Sequence, residues 1–334
     1  MSSRTSPCGV RIVSTGSAVP EAELTNKDLE KILDTSDEWI HQRTGITSRR
    51  ISDPAKEGTF TLARDAVKVA LDRAGWKASE LDLIICASCT QEMTCPSTAC
   101  RIGGEIGATN AGAFDLVAAC SGFGYAMNVA DTLLRSGRFK RIAVVGADAM
   151  STAVDYTDRA VSILFGDAAG AAMLEADPDP MRGCIHQTLG SDGSDWHTLY
   201  MPRRSQEVPP EDAENPIRLG YLRMHGREVF RFAVSKFREV IENALTATNL
   251  RPADVSQFIC HQSNRRIIES AIEKLHLPPE KVHINIDRFG NSSAGSVGLC
   301  LDQLWQNGKI PAGKPMIMVA FGGGLTWASG VWNV

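Results

Sequence analysis

The first residue of chemical interest is Cys120, in the stretch FDLVAACSGFGYAMNVADTLL that spans residues 114–134. The apolar run from Phe114 to Ala119 predicts a buried strand. Apolar side chains then follow one face of a helix: Phe123, Ala126, Met127, Ala130 and Leu134. Cys120 therefore lies at a strand-to-helix turn, where unpaired amides favour negative charge. A thiol pKa there can fall from about 8.5 to roughly 3.5–7.5, which predicts a nucleophile; a cysteine that only packs is the alternative.

His261 and Asn291 are candidates for loops at strand ends and can share a site with Cys120. His261 comes directly after the buried run VSQFIC, and Asn291 lies in the glycine-flanked turn RFGNSSAG. Loops at strand ends are the usual position of ligand sites in α/β sheets. Taken singly, each residue has a simpler explanation: a structural histidine, and an asparagine that tolerates a left-handed turn. The joint arrangement with a cysteine favours a chemical interpretation.

A duplicated pattern in the chain explains how these residues could meet. ARDAVKVALDRAGWKASELDLIICAS and KFREVIENALTATNLRPADVSQFICHQ each predict an amphipathic helix, a polar loop and a buried strand that ends in Ile-Cys. A second unit follows each of them: Cys120 comes 34 positions after Cys86, and Asn291 comes 31 positions after Cys260. We therefore predict a duplicated α/β fold with parallel strand pairing. Equivalent strand ends of its two halves would meet at one crevice.

The duplication also predicts a division of the chain near the segment EADPDPMRG. We assign the N-terminal half, which carries the cysteine, to residues 1–176 and the C-terminal half, which carries the histidine and the asparagine, to residues 177–334. A chain of 334 residues is long enough to bury a sizeable core in either one or two domains.

Composition and charge narrow the class of protein. A formal net charge of -4 with 22% charged residues gives no general nucleic-acid signature. The first residues, MSSRTSPCGV, lack the apolar core of a signal peptide, and the longest apolar runs are too short to span a membrane. We therefore expect a cytoplasmic protein.

The nine cysteines predict reduced thiols rather than a disulfide framework, because they are odd in number and lie mostly in apolar surroundings. Cys86 and Cys89 have the Cys-x-x-Cys spacing of a zinc site. Strand alternation would point these two side chains to opposite sides, however, so we expect no metal.

Seven segments together resemble one family along nearly the whole chain: STGSAVP, DTSDEWIHQRTGI, DLVAACSGFGYA, DRAVSILFGDAAGA, HQSNRRI, RFGNSSAGSVG and AFGGGLTW. The chain resembles the beta-ketoacyl-acyl carrier protein synthase III family of condensing enzymes. The resemblance implies a thiolase-like fold, in which two duplicated α/β halves form a layered α-β-α-β-α architecture.

By this resemblance Cys120 is the nucleophile, and His261 and Asn291 complete a catalytic triad. The implied reaction is ping-pong: Cys120 takes an acyl group from acyl-CoA, and a malonyl thioester on acyl carrier protein then loses carbon dioxide and attacks the acyl-enzyme. A thiolate suits this division into two steps because it both attacks and leaves readily. The enolate needs aligned hydrogen-bond donors. The resemblance assigns the oxyanion hole to the backbone amides of Cys120 and Gly323.

The resemblance further implies substrates and partners, namely acyl-CoA, malonyl-acyl carrier protein and a second copy of the chain. The residues assigned to CoA are Thr35, Trp39, Arg43, Arg159 and Asn264. Arg231 and Arg266 match basic positions that receive the acidic carrier protein, a role that electrostatic steering supports. No cofactor is expected, since acyl-CoA is a substrate, and neither nucleic acid nor a membrane is expected as a partner.

Four residues depart from the family pattern. Arg227 stands where the family often has an asparagine that contacts CoA. Gly295 and Gly298 replace residues that are more often Ala and Pro, and this predicts a looser turn near Asn291. Cys95 replaces a phenylalanine that limits the acyl pocket from the partner subunit, so the smaller side chain predicts room for longer or branched primers.

Several other functions remain as alternatives. A paralogue of specialised metabolism could transfer or condense acyl groups onto another acceptor with the same Cys120 and His261. Related condensing enzymes that need a glutamate base, such as 3-hydroxy-3-methylglutaryl-CoA synthases, would have to use Glu92. A non-catalytic scaffold subunit would commonly lack the nucleophile. A nicotinamide oxidoreductase would want a Gly-x-Gly-x-x-Gly turn, which CSGFGYAMN only approximates.

Overall fold

The computed structural model describes residues 8–213 and 218–334. Most of the stretch searched for a signal peptide, residues 1–7, lies outside the described residues. The strands are β1 (Gly9–Ala18), β2 (Glu23–Thr25), β3 (Ser48–Arg50), β4 (Leu83–Ala87), β5 (Gly112–Leu116), β6 (Arg141–Ala149), β7 (Asp167–Asp177), β8 (Gly183–Ser191), β9 (Leu199–Tyr200), β10 (Arg223–Met224), β11 (Phe258–Cys260), β12 (Pro315–Gly322) and β13 (Thr326–Asn333). The α-helices are α1 (Asn26–Leu29), α2 (Asp37–Thr44), α3 (Thr59–Ala74), α4 (Thr98–Ile106), α5 (Gly122–Arg135), α6 (Arg159–Ser162), α7 (Gly226–Thr248), α8 (Arg265–Leu275), α9 (Ile286–Phe289) and α10 (Gly295–Gln306).

Two mixed sheets organise the molecule. The first has the strand order β1-β7-β6-β4-β5 and the second the order β11-β12-β13-β8, while β2 with β3 and β9 with β10 form two-stranded sheets. The predicted parallel pairing is found between β4 and both of its neighbours and between β11 and β12. The remaining pairs of the two large sheets are antiparallel: β1 with β7, β6 with β7, β12 with β13, and β13 with β8.

Helices α5 and α10 lie between the two sheets, α3 and α4 cover the outer face of the first, and α7 and α8 cover the outer face of the second. One apolar core fills the central layer, where Phe123 and Met127 of α5 pack with Leu301 of α10 against both sheets. Separate cores lie beneath the outer helices. This is the layered α-β-α-β-α fold that was predicted. None of the helices in the described part of the chain combines the length and apolar character needed to cross a membrane.

The predicted elements around Cys120 are partly confirmed. Helix α5 follows it, and the five apolar residues assigned to one face are all buried. The preceding strand exists as β5, but the prediction that it is buried is wrong. It is the edge strand of its sheet and pairs on one side only, with β4, so Phe114 is 38% exposed in the single chain.

The division into residues 1–176 and 177–334 stays a prediction. The structure changes sheets beside that boundary, since β7 ends the first sheet at Asp177 and β8 begins its part of the second at Gly183. The connection falls within the predicted segment EADPDPMRG.

Glycines in α10 have a packing role that differs from the predicted loosening. A Cβ on Gly295 would lie 2.2 Å from the Ala168 carbonyl oxygen, and a Cβ on Gly298 would lie 2.7 Å from the Gly170 carbonyl oxygen. The helix therefore packs backbone to backbone on β7, which the absence of side chains permits. This close contact holds the start of α10, and with it the Asn291 turn, tightly against the first sheet.

We expect Gly170→Ala to lower the free energy of unfolding by about 1–3 kcal/mol or more, because the new methyl would overlap the backbone of α10. A Cβ at this position would lie 2.1 Å from the carbonyl carbon of Gly298. The measurement is urea unfolding followed by circular dichroism. Gly104→Ala, at an exposed position of α4 with open space around it, is the matched control and should be neutral or stabilising by up to about 1 kcal/mol. Equal stability of the two variants would contradict the proposed packing.

Candidate active site

Cys120, His261 and Asn291 line one cavity of about 100 Å³ at the ends of the two sheets. Cys120 lies in a single 3-10 turn, Ala119–Ser121, between β5 and α5. His261 follows β11, and Asn291 lies between α9 and α10. The structure therefore brings together the three residues that the sequence predicted to share a crevice.

The backbone around Cys120 is tightly constrained. Ala119 has a φ of 44°, a left-handed conformation that is uncommon for a residue with a side chain. The end of β12 presses on this turn, since a Cβ on Gly322 would lie 2.6 Å from the Cys120 amide nitrogen. The next residue, Gly323, lies against the backbone of Leu199. The predicted oxyanion hole of the Cys120 and Gly323 amides stays a prediction.

The Cys120 thiol does not have the lowered pKa that the sequence predicted. Burial raises its pKa to about 12, because water is excluded from the sulphur, and the charge of Asp148 adds to the rise. A hydrogen bond to Ser293 acts in the opposite direction and is smaller. The prediction considered only the helix start, whereas desolvation dominates in the folded chain. The thiol is therefore protonated at neutral pH and must lose its proton during reaction.

His261 is a neutral imidazole. Burial lowers its pKa to about 3, and its ring packs edge to face on Phe321 at 5.4 Å between centroids. Nδ1 lies 2.7 Å from the Ser296 hydroxyl, which also accepts a 3.5 Å bond from the Gln262 backbone. The Ser296 hydroxyl can donate its proton to Nδ1, and in that tautomer the ring hydrogen lies on Nε2. His261 can then donate this hydrogen to a substrate oxygen.

Asn291 is fixed by its backbone and by one side-chain bond. Its amide donates to the Leu164 carbonyl at 2.8 Å, and its carbonyl accepts from Gly166 at 3.0 Å. Its Oδ1 accepts from the Ser293 backbone at 2.9 Å. The side-chain NH₂ is consequently the group that can act as a donor in the cavity.

Asp148 is an organising residue that the sequence analysis missed. It is fully buried at the end of β6, where Oδ1 accepts from Ser88, Cys89 and Thr90 and Oδ2 accepts from the Ala294 amide at 3.0 Å. One carboxylate thus joins the loop after β4 to the turn that carries Asn291. The sequence offered one indication of this role, since Asp148 is an acidic residue at the end of the apolar run IAVVGAD.

Four of the five residues assigned to CoA contact one another beside the cavity. The guanidinium carbons of Arg43 and Arg159 lie 5.5 and 4.9 Å from the Trp39 ring centroid. Asn264 donates to the Arg43 carbonyl at 3.1 Å and also lines the cavity. The Thr35 hydroxyl is buried and has no hydrogen-bond partner within the described residues.

Basic side chains surround the entrance. Arg227 and Arg266 line a neighbouring depression of about 410 Å³ together with Arg43 and Phe230, and Arg266 stacks on Phe230 at 5.5 Å. Arg231 is more remote: it is exposed and pairs with Glu228 at 3.5 Å. Arg227, which departs from the family pattern, therefore shares a positive surface with two residues that were predicted to bind substrates.

A second missed residue is Ser263, which lines the cavity between His261 and Asn264. Its hydroxyl is buried without a hydrogen-bond partner in the described parts of the chain. Such a group is available to a bound molecule.

Cys95 and Glu92 do not line the cavity of this chain. Cys95 is exposed, in the loop before α4. Glu92 accepts from the Phe60 amide at 2.8 Å and pairs with Arg101 at 3.2 Å, so its carboxylate is engaged at the start of α3. Within residues 8–213 and 218–334, no group of three or more His, Cys, Asp or Glu side chains could hold a metal ion.

Comparisons with known proteins identify one family. Two family models, described as 3-Oxoacyl-[acyl-carrier-protein (ACP)] synthase III and its C-terminal part, match residues 114–193 and 245–334. The beta-ketoacyl-[acyl-carrier-protein] synthase III of Caldanaerobacter subterraneus is 43% identical over 320 residues, which cover 96% of each chain.

Solved structures of similar proteins have the same fold. The 3-oxoacyl-[acyl-carrier-protein] synthase III of Aquifex aeolicus superposes with a TM-score of 0.90 at 41% identity and covers 98% of this chain and 100% of its own. The priming beta-ketosynthase of the R1128 polyketide pathway has a TM-score of 0.89 at 34% identity and covers 98% and 97%.

We expect the alkylation rate of Cys120 by iodoacetamide to rise about tenfold per pH unit from pH 6 to 10 without a plateau. The reason is that burial raises the thiol pKa to about 12, so the reactive thiolate stays a minor form over this range. The measurement is peptide-resolved mass spectrometry, with the exposed Cys100 in the same digest as the reagent control. A plateau below about pH 8.5 would show a thiolate that is already formed.

Proposed function

The chain belongs to the 3-oxoacyl-[acyl-carrier-protein] synthase III family, and from that premise we propose how its own residues begin fatty-acid synthesis. The enzyme is a condensing acyltransferase. We propose that it joins an acyl group from acyl-CoA to malonyl-acyl carrier protein with loss of carbon dioxide. The observation that carries this proposal is that a buried thiol, a neutral imidazole and an asparagine amide line one cavity.

In the first half-reaction the Cys120 sulphur attacks the thioester carbonyl of acyl-CoA. A carbon–sulphur bond forms to the enzyme, the bond to CoA breaks, and the thiol proton leaves with CoA. The backbone amides of Cys120 and Gly323 would bind the tetrahedral oxyanion. Because Cys120 is a protonated thiol, acylation must couple attack to proton loss.

In the second half-reaction the malonyl carboxylate leaves as carbon dioxide, and the remaining enolate attacks the acyl carbonyl on Cys120. Nε2–H of His261 and the Asn291 amide would donate to the thioester oxygen as negative charge develops on it. Both donors are neutral, so neither forms an ion pair with the malonyl carboxylate that would oppose its loss. Collapse of the adduct expels Cys120, which takes a proton from solvent. These steps require no cofactor.

The CoA molecule would enter past Trp39, with its adenine ring between the indole and the neighbouring guanidinium groups. The pantetheine arm would then reach Cys120 along the cavity, where Asn264 and the unpartnered Ser263 hydroxyl offer polar contacts to its amides. Arg43 and Arg227 beside the entrance would attract the phosphates.

The acyl carrier protein would dock at the same entrance. Arg266 and Arg231 are the proposed contacts for its acidic surface, and Arg227 adds a third positive charge. Such surface charges mainly raise the association rate.

We propose that the enzyme is a homodimer joined through β5. This edge strand leaves one side unpaired in the described chain and exposes Phe114, and Val117 just beyond it is 69% exposed. Exposed apolar edge strands call for a partner in soluble proteins. The loop with Cys95 borders this edge, because Asp115 of β5 caps the helix that follows the loop through the Thr98 and Ala99 amides. A partner across β5 would therefore bring its own Cys95 toward the acyl pocket.

The small side chain of Cys95 supports a primer longer than acetyl. Cysteine occupies much less volume than phenylalanine, so the acyl pocket would be deeper if Cys95 limits it across the dimer. Leu199 and Met224 line the cavity on the near side and would contact the first carbons of the chain.

A second candidate function is priming in specialised metabolism, which the likeness to the R1128 priming ketosynthase favours. The same first half-reaction would occur, and the acyl group would then pass to a different acceptor. We also propose a cytoplasmic location, because all nine cysteines are free thiols, as in a reducing compartment.

We expect Cys120 to gain one acyl group from a mixture of short, medium and branched acyl-CoAs, with a branched or medium chain preferred. Intact mass spectrometry measures the adduct, and Cys120→Ala should show none. Addition of malonyl-acyl carrier protein should then clear the adduct with release of carbon dioxide. A clear preference for acetyl-CoA would refute the deeper pocket while leaving the synthase proposal intact.

Asn291→Asp separates the two half-reactions. This variant should still be acylated but should retain its adduct during the chase, because a carboxylate repels both the malonyl group and the enolate. An adduct on the unaltered enzyme that persists in the same way would favour transfer to another acceptor. Clearance by the variant at the unaltered rate would remove Asn291 from the proposed mechanism.

We expect Phe114→Glu to shift the protein from dimer to monomer, since a charge at the edge of β5 would have to be buried without a partner. Sedimentation velocity gives the mass directly. Ile32→Glu is the matched control, because Ile32 is 59% exposed in another part of the molecule. If both variants form dimers as stable as those of the unaltered enzyme, the interface does not lie at β5.

A further inference from the structure

Cys89 is a second thiol beside the nucleophile, and the proposed mechanism does not use it. Its Sγ lies 3.8 Å from the Ser293 hydroxyl, and the same side chain lowers the pKa of the Cys120 thiol through a hydrogen bond. Ser293 is therefore a neighbour of both thiols. Cys89 also packs in the apolar cluster that contains Leu199 and Leu164, two residues that line the active-site cavity.

The position of Cys89 is fixed by the surrounding backbone. Its amide donates to Asp148 at 2.8 Å, and the same carboxylate holds the turn that carries Ser293 through Ala294. The two thiols thus belong to one bonded unit that spans the ends of β4 and β5, two neighbouring parallel strands. Two other cysteines near this edge, Cys95 and Cys100, have exposed side chains.

We propose that Cys89 is the resolving cysteine of a reversible redox switch, in which a disulfide to Cys120 blocks acylation and protects the nucleophile from irreversible oxidation. A disulfide needs a sulphur–sulphur distance of about 2.05 Å, so the Ser293 hydroxyl must turn aside and the two cysteine side chains must change rotamer. The residues that have to move lie outside the strands of both sheets, in the loop after β4, the turn before α5 and the turn before α10.

The oxidant is a peroxide, and the chemistry balances in two steps. Cys120 sulphur attacks one peroxide oxygen, the O–O bond breaks, and Cys120 becomes a sulfenic acid while hydrogen peroxide yields one water. Cys89 sulphur then attacks the sulfenic sulphur, an S–S bond forms, and the oxygen leaves as a second water. A dithiol reductant reverses the result. Because burial raises the pKa of both thiols, peroxide has to be supplied in excess.

The test treats the unaltered enzyme with hydrogen peroxide and follows its mass, its peptide map and its acylation by acyl-CoA. We expect a loss of about two mass units, a Cys89–Cys120 cross-linked peptide, and complete loss of acylation that dithiothreitol restores. Cys89→Ser should instead gain two oxygens at Cys120 and stay inactive after reduction. Cys100→Ser, a matched change at an exposed position of α4, should behave like the unaltered enzyme.

The peptide map of the unaltered enzyme decides the question even if Cys89→Ser folds poorly. Irreversible oxidation of Cys120 in the unaltered enzyme would overturn the proposal, as would a cross-link from Cys120 to any other cysteine. Since peroxide reacts with the thiols without acyl-CoA, disulfide formation tests this inference independently of the proposed condensation.

Discussion

Exclusion of water from the crevice between the two sheets is the constraint on which the rest of this structure depends. It raises the thiol pKa of Cys120 and lowers the imidazole pKa of His261, so both groups are neutral before reaction. A neutral histidine can donate a hydrogen bond to a developing enolate, which an imidazolium would instead protonate. The same dry surroundings strengthen every hydrogen bond made to the transition state.

Building such a crevice requires elements from both halves to approach closely. Gly322 packs against the Cys120 turn, and Gly170 packs against α10. At each place two backbone segments are in direct contact, which a side chain would prevent. Buried polar residues then fix the loops across the gap. Asp148 joins the loop after β4 to the Asn291 turn, and Gln262 bonds the backbone of Asn285 and Ile286 from the end of β11. Rigid loops keep the donors aligned without reorganisation during the reaction.

The same compactness places Cys89 beside the nucleophile. Ser293, two residues after Asn291, has a left-handed φ of 49°; it contacts Cys89 and lowers the pKa of Cys120. The loop that positions an asparagine donor thus also positions a hydroxyl that acts on both thiols. Catalysis and the proposed protection of the nucleophile would share one piece of backbone, which links redox state to the availability of Cys120.

Local patterns in the sequence were enough to predict the repeated helix and strand order, the buried face of α5 and the positions of Cys120 and His261 beyond strand ends, because periodicity and turn residues act locally. The turn of Asn291 follows the short helix α9 instead of a strand. Only the tertiary structure decided the protonation of Cys120, since desolvation depends on groups far apart in the chain and outweighed the helix start. The exposure of β5 also depends on the tertiary structure, because β5 lies at the edge of its sheet. The contacts of Asp148, Ser263 and Cys89 required the fold for the same reason: their partners lie in other elements.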